Sequence, residues 1–377
     1  MTSYRHRTAH AGSDTPGAHV PRRYRAALIG CGRMGAFIDN EVAAPHAYSH
    51  AAGYLECPRT ELVALSDPRV EVMDRAGERY GVPRERRYRD YREMLARERP
   101  EIVSVATQPE QRAAIVIHAA GHGARAIYAE KAMAASLAEV DAMVAAVERH
   151  GVAFNMGTNR RWDTPYDAMK ELIHGGRYGR LLSMTIHQGH GLFNMGSHVF
   201  DLFQWLNDDQ PVEWVQFHLT KGGDDLDGGL LDSDPNGGGR LQFANGVVAF
   251  ACDSGRRFEV DVVCERAVIS SIGTDDEFLL REPGGVNHRG HPTLRQGSFP
   301  AFTRSSSTVN LIMDLVRALD TGQPPRGGVR IARANTELIF ACIESHRRGG
   351  ARVRLPLAGS DLRLERNFAP RQPRFER

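Results

Sequence analysis

An α/β fold with two sheets is predicted by three observations in the sequence. Short apolar runs alternate with amphipathic stretches from Tyr24 to about Met156, a glycine-rich turn follows the first run directly, and after Asn159 the rhythm changes to consecutive strands with short turns. The alternation specifies a doubly wound parallel sheet covered by helices on both faces, and the later strands specify an α+β domain with a large, mostly antiparallel sheet. Length agrees, because 377 residues exceed what one hydrophobic core usually organises.

In order along the chain, residues 1–23 mix His, Arg, Ser, Gly and Pro with almost no bulky apolar residues and read as a flexible leader. The parallel sheet is expected over residues 24–156, with strands at Ala26–Ile29, Leu62–Leu65, Ile102–Ala106, Ala126–Ala129 and Val152–Met156 and intervening helices such as Glu110–Ala120 and Ser136–His150. Ala43–Pro58 looks like an inserted segment. Residues 157–358 are expected to form the second domain, opening with a helix at Thr164–His174. Its strands are placed at Leu181–Gln188, Val212–Thr220, Gly246–Cys252, Glu259–Cys264 and Ala267–Ile272. Helices Thr308–Leu319 and Ile331–His346 close that domain, and Arg352–Leu355 adds a last strand. The acidic, glycine-rich Gly222–Gly239 reads as a solvated loop; its aspartates lack the EF-hand spacing, so no metal site is expected. Residues 359–377 are left as a C-terminal tail.

Composition excludes several function classes. With 48 basic against 46 acidic residues, the charge balance gives no reason to expect nucleic acid or an anionic membrane as partner. No run is long enough to span a bilayer, and five cysteines without paired spacing or a CxxC argue against disulfides and structural zinc, so a reducing cytoplasm is expected. Among the basic residues only Lys131, Lys170 and Lys221 are lysines. A chain this rich in arginine keeps a lysine where arginine cannot serve.

The turn Gly30-Cys31-Gly32-Arg33-Met34-Gly35 has the glycine spacing of a dinucleotide-binding Rossmann unit. Gly30 permits the tight turn, Gly32 lets a diphosphate approach the backbone, and Gly35 lets the following helix pack on the strand. The second strand ends in Ser66-Asp67, where a carboxylate would accept from the adenosine ribose and favour NAD. Arg69 could neutralise a 2′-phosphate, so NADP is not excluded.

Glu130-Lys131 follows the strand Ala126–Ala129, at the carboxyl edge where such sheets bind ligands. Oxidising an alcohol needs a group that removes the hydroxyl proton as hydride leaves, and a partly desolvated lysine can have its pKa lowered into range. A second polar cluster is expected at Asn194, His198 and Asp201, where His198 and Asp201 are three apart and share a helical face.

The sequence from about Tyr24 to Leu357 resembles the Gfo/Idh/MocA oxidoreductases. The resemblance rests on the glycine turn, Asp67-Pro68, Thr107-Gln108-Pro109, Glu130-Lys131, Gly157-Thr158-Asn159-Arg160-Arg161 and the helix ending Trp205-Leu206. It implies that Thr107, Gln108, Pro109 and Glu130 border the cofactor together with the glycine turn, Asp67 and Lys131. It also implies that Lys131 is the catalytic lysine of a Glu-Lys-Pro motif and that His198 is the histidine of an Asp-x-x-x-His pair, with Asp201 matching an acidic residue three positions later. Ala132 stands where that family has proline, Arg112 where it commonly has histidine, and Asn194 where it has aspartate. Asparagine cannot take a proton, so Asn194 can orient a hydroxyl and no more. Arg160, Arg161 and Trp162 match a segment bordering the substrate pocket, where paired guanidiniums could hold an anionic group on a sugar. His187 and His190 are further pocket-edge candidates. A homodimer or homotetramer is implied by the family's habit of associating through the open sheet face.

These readings point to an NAD-dependent dehydrogenase acting on the CH–OH of a sugar, cyclitol or sugar acid. The alternatives are a redox-neutral NAD-dependent glycoside hydrolase, suggested by Asn194 and the extra histidines, and a non-catalytic cofactor-binding protein.

Overall fold

The computed structural model describes residues 22–43, 45–223, 226, 228–255, 258–366 and 370–376. Residues 1–21 of the expected leader, and Asp224, Asp225 and Asp227 of the acidic segment, lie outside the described residues.

The first sheet is assembled from β1 (Tyr24–Ile29), α1 (His50–Glu56), β2 (Thr60–Ser66), α2 (Val70–Tyr80), β3 (Arg87–Tyr88), α3 (Tyr91–Glu98), β4 (Ile102–Val105), α4 (Pro109–Gly121), β5 (Ala126–Ala129), α5 (Leu137–Arg149) and β6 (Ala153–Met156). Its six strands run in the order β3-β2-β1-β4-β5-β6, and every pairing is parallel. Strand order therefore reverses between β1 and β4, which opens a crevice at the carboxyl ends of those two strands. Local chemistry marks the helix starts. Ser136 caps α5 by accepting from the Glu139 amide, Asp90 caps α3 from the Arg92 amide, and Pro109 occupies the first turn of α4.

Both faces of this sheet are covered. Val103, Val105, Ile127 and Ala129 pack against Ile115 and Val116 of α4 and Val140 and Met143 of α5. On the other face Tyr24, Ala26, Ile102 and Tyr128 meet Tyr54 of α1 and Leu311, Ile312, Leu315 and Val316 of a late helix, Ser307–Thr321. The sequence pattern assigns that helix to the second domain. Its apolar stripe instead covers the first sheet, because the short α1 leaves part of that face open.

The rest of the chain contributes α6 (Thr164–His174), β7 (Leu181–Gln188), α7 (Ser197–Leu206), β8 (Val212–Lys221), β9 (Leu230–Leu231), β10 (Asn236–Phe243), β11 (Val248–Asp253), β12 (Glu259–Cys264), β13 (Ala267–Ile272), β14 (Glu277–Val286), β15 (Pro292–Gly297), α8 (Ser307–Thr321), α9 (Val329–Arg347), β16 (Val353–Arg354) and β17 (Arg363–Leu364). Nine of these strands form one sheet in the order β15-β14-β13-β12-β7-β11-β10-β8-β16, in which only the β7–β11 pair is parallel. Its inner face, including Met184, Ile186, Val215, Phe217, Val260 and Val262, packs on Tyr166 and Met169 of α6, Phe200 and Phe203 of α7, and Ile339, Phe340 and Ile343 of α9. Among the described residues no helix is long and apolar enough to cross a membrane.

Two departures from the sequence expectations have clear causes. Gly222–Gly239 is not one loop, since it contains β9 and the start of β10. Its glycines are required by close strand approach: a β-carbon at Gly237 would sit 2.3 Å from the His218 carbonyl oxygen, and one at Gly239 would sit 2.3 Å from that of Gln216. Strands β14 and β15 leave little mark in the sequence because, beyond the short run Phe278-Leu279-Leu280, they form a largely exposed arm carrying Arg281, Glu282 and Arg295.

Candidate active site

The crevice between β1 and β4 is a cleft of about 1100 Å3, walled by Gly30, Gly32, Arg33 and Met34, by Ser66–Arg69, by Ala106–Gln108 and by Glu130, Lys131 and Asn194. That volume reaches the upper end of ordinary small-molecule sites, as an extended dinucleotide needs. The glycine turn fits such a ligand. Gly30 has φ +91°, and a β-carbon there would lie 2.7 Å from the Ala106 carbonyl oxygen. At Gly35 a β-carbon would come within 1.9 Å of the Gly30 carbonyl oxygen, so only glycine lets the wide helical turn Arg33–Phe37 pack on β1. Gly32 faces the cleft. Cys31 and Gly35 are buried behind the turn, and Pro109 is buried at the start of α4. Thr107 and Gln108 line the cleft directly.

Asp67 lines the cleft, as a ribose acceptor would, with its carboxylate also engaged inside the protein. It is 2% exposed, and its carboxylate takes the Cys31 amide at 2.8 Å and the Arg69 guanidinium at 3.1 Å through each oxygen. It also accepts from the Arg69 amide at 2.9 Å. The side chain thus braces the glycine turn, and Arg69 pairs with it on the cleft wall.

Lys131 follows β5 and donates from Nζ to Oδ1 of Asn194 at 2.5 Å. Burial lowers its pKa; Glu130 opposes this, Arg112 and Arg33 reinforce it, and Asp234 opposes it. Glu130 is held below the usual carboxylate range. Burial would raise it, but the hydrogen bond and charge of His50, with Lys131 and Arg112, outweigh that cost. His50 Nε2 lies 3.2 Å from Glu130 Oε1, its Nδ1 lies 2.9 Å from Ser104 Oγ, and Tyr54 completes the buried chain at 2.7 Å from that hydroxyl.

Asn194 lies on the helical turn Leu192–Gly196, just ahead of α7. Asp234 fixes that turn, accepting the amides of Phe193 at 2.8 Å and Asn194 at 2.9 Å. His198 sits in the first turn of α7. Burial, then the charges of Lys131 and Arg160, push its pKa well below the ordinary value, so its imidazole is neutral. Its Nδ1 has no hydrogen-bond partner among the described residues.

Several expected substrate contacts are engaged by partners within the protein. Asp201 turns to Arg161, whose Nε reaches its two oxygens at 3.0 and 3.2 Å, and does not join His198 in a cluster. Arg161 is fully buried and also pairs with Asp209 at 2.8 Å, so it is closed to a substrate anion. Arg160 is held by Asp275 at 2.6 Å and lies 3.6 Å from the Phe258 ring centre. Trp162 is 2% exposed and donates to Asp314. His187 is 3.2 Å from Ser254 Oγ, His190 donates its amide to Gln188, and neither belongs to the cleft wall.

Sequence reasoning misses His50, Asp234 and a role for Arg112. Arg112 is 1% exposed and donates to the carbonyls of Ala132 and Thr107, so it ties the ends of β5 and β4 together beneath Lys131. The Lys131–Ala132 peptide is cis. His50 falls in the segment that reads as an insertion. Asp234 gives only a turn signal, Asp234-Pro235, and its contact is set by the fold.

Comparison with known proteins agrees with the fold of the first domain. Residues 24–158 match the family described as "Oxidoreductase family, NAD-binding Rossmann fold". A D-apiose dehydrogenase of Paraburkholderia graminis is 36% identical over 158 residues, covering 42% of this chain and 38% of the relative. The myo-inositol 2-dehydrogenase of Thermotoga maritima is 26% identical over 203 residues, covering 50% of this chain and 56% of the relative. The chain thus spans about two fifths to just over half of the length of these relatives. Among solved structures, the aldose-aldose oxidoreductase from Caulobacter crescentus, complexed with glycerol, superposes with a TM-score of 0.71 at 19% identity, covering 89% of this chain and all of the other. The WlbA dehydrogenase from Bordetella pertussis, in complex with NADH and UDP-GlcNAcA, gives 0.68 at 20% identity over 89% of this chain and all of the other. At such identity the superpositions speak to fold alone. Residues 24–158 thus match the NAD-binding Rossmann domain of the Gfo/Idh/MocA oxidoreductases.

Proposed function

We propose that the protein is an NAD-dependent dehydrogenase that oxidises a ring hydroxyl of a sugar, cyclitol or sugar acid, with Lys131 as the proton acceptor. The observation that carries this reading is the placement of Lys131. One of only three lysines projects into the dinucleotide cleft, its pKa lowered by burial, with Nζ held by Asn194. NAD bound in the cleft supplies the acceptor for the hydride that leaves the carbinol carbon.

The chain's own residues then account for the proton. A neutral Lys131 amine takes the hydroxyl proton at Nζ, and burial favours that neutral form before reaction. Asn194 accepts from Nζ and so aims the lysine, while its own amide group remains able to donate to a substrate oxygen. Glu130 keeps its carboxylate beside the Lys131 backbone at 3.2 Å, held in turn by His50. His198, its unpartnered Nδ1 buried, is not on the cleft wall, and burial favours its neutral form, so it is not a cationic anchor. Arg161, closed in its ion pairs with Asp201 and Asp209, is not available to hold an anionic substrate group.

The redox-neutral glycosidase reading draws no support from His187 and His190, which are not on the cleft wall. The dehydrogenase reading is tested by screening sugars, cyclitols and sugar acids for substrate-dependent NADH formation. The expected result is stoichiometric NADH with at least one polyol and its loss in Lys131→Met. Turnover in Lys131→Met equal to that of the parent protein would remove the lysine from the chemistry.

A further inference from the structure

The C-terminal tail does not trail away from the second domain. β17 pairs with β9, the Leu364 amide donates to the Ala135 carbonyl at 2.8 Å, and Arg363 pairs with Glu139 at 2.7 Å. These contacts bring the tail back across the first domain. Arg366 then meets the Glu110 carboxylate at 2.7 and 3.1 Å and Gln108 Oε1 at 3.1 Å, at the start of α4. Beyond it, Pro370 and Arg371 form part of the cleft wall. On the opposite side of the cleft, Asn40 donates to the Arg374 carbonyl at 2.8 Å, and Phe375 stands edge-on to Phe37 with ring centres 5.1 Å apart. Arg75 lies 5.4 Å from the Phe375 ring centre. The tail is therefore fastened on both sides of the crevice, at α4 and beside the glycine turn.

Charge tells what it could close over. Most arginines on the cleft wall have carboxylate partners: Arg33 has Glu41 at 2.6 Å, Arg69 has Asp67 at 3.1 Å and Arg366 has Glu110 at 2.7 Å. Arg371 has no ion-pair partner among the described residues, although it is on the same wall. A cation left without a carboxylate, on a strand of chain spanning a dinucleotide cleft, suits the diphosphate that such a cleft holds.

We propose that residues 370–376 form a strap over the bound dinucleotide, in which Arg371 contributes a cation to the diphosphate and the Arg366 and Phe375 fastenings slow its release. The inference rests on the cleft being the NAD site. Both fastenings are partly buried contacts, an ion pair and an aromatic edge contact, local enough that the strap opens and closes without unfolding the domain.

The test uses the full-length protein, with NAD titrated by calorimetry and its release followed by stopped-flow fluorescence. Arg371→Ala is expected to weaken NAD binding about tenfold, the loss of one charge-assisted contact, and to leave adenosine binding unchanged because adenosine has no phosphate. Phe375→Ala is expected to speed NAD release several-fold with little change in association. Truncation after Glu365 should combine both effects, and the two point variants decide the matter if the truncated protein unfolds. Parental affinity and release rate in both point variants would overturn the strap while leaving the cleft reading intact. Failure of the parent protein itself to bind NAD would overturn both.

Discussion

Replacing Arg112 with methionine tests how the cleft floor tunes its lysine. The guanidinium is 1% exposed and donates from separate nitrogens to the Ala132 and Thr107 carbonyls, at the ends of β5 and β4. Methionine keeps most of the buried length but leaves both carbonyls without that donor. Hydrogen bonds to a charged group contribute about 1.5–3 kcal/mol each, so the gross loss is about 3–6 kcal/mol. Releasing a buried cation offsets part of this, and its strain is visible in the arginine's own pKa, lowered to about 10 chiefly by burial. A net loss of about 2–3 kcal/mol is expected in urea unfolding. The same change acts on Lys131. Burial lowers that lysine's pKa and Arg112 adds to the fall, so removing the neighbouring cation favours the ammonium form and moves the titration to higher pH. With three lysines in the chain, 13C reductive methylation gives three lysine signals beside that of the α-amino group, and the Lys131 signal should move between parent and variant. A stability change below about 0.5 kcal/mol, together with an unmoved Lys131 signal, would refute the reasoning, since it would mean that neither carbonyl anchor nor cation matters.

Other consequences can be measured independently. Arg161→Met leaves Asp201, itself 2% exposed, without its partner and is expected to lower stability by about 3–5 kcal/mol with little effect on NAD affinity; weakened binding at unchanged stability would instead make Arg161 a ligand contact. His198 has a folded-state pKa depressed chiefly by burial, so its contribution is present above its ordinary value of 6.5 and is lost as pH falls below it, when the unfolded chain takes up the proton. His198→Gln should therefore flatten the fall in stability below that pH, and an unchanged slope would show that the imidazole titrates normally. Arg69→Ala frees the Asp67 carboxylate toward the cleft and removes a cation from it, so NAD should bind more tightly and NADP more weakly; a shift of the two dissociation constants in the opposite sense would contradict the arrangement described.

Much of the fold and part of the site are legible in the sequence, for a physical reason: the features concerned are local. Glycine spacing at Gly30, Gly32 and Gly35 is a local motif, and β1, β2, β4, β5 and β6 carry apolar runs because both sheet faces are buried, whereas β3, only Arg87–Tyr88, leaves no such mark. The Lys131–Asn194 pairing follows from reading each as a site residue, although they are 63 positions apart. What stays hidden depends on partners distant in the chain. Asp201 and Arg161 read as exposed polar groups near a pocket, and only the packing of α7 against the segment after β6 shows that they neutralise each other. Asp67 looks free to meet a ribose as long as Arg69 is weighed as a ligand contact and not as its partner. The tail offers no periodicity at all, and its course over the cleft is fixed by Glu110, Asn40 and Phe37, each more than 250 positions upstream of its partner.

The central claim is that NAD lies along the glycine turn with its reactive ring at Lys131. A crystal structure of the protein with NAD tests it most directly. The account predicts the diphosphate against the backbone of Gly32 and Arg33 and the nicotinamide ring beside Lys131 Nζ. A dinucleotide ordered outside this cleft, or one whose nicotinamide lies out of reach of Lys131, would contradict it.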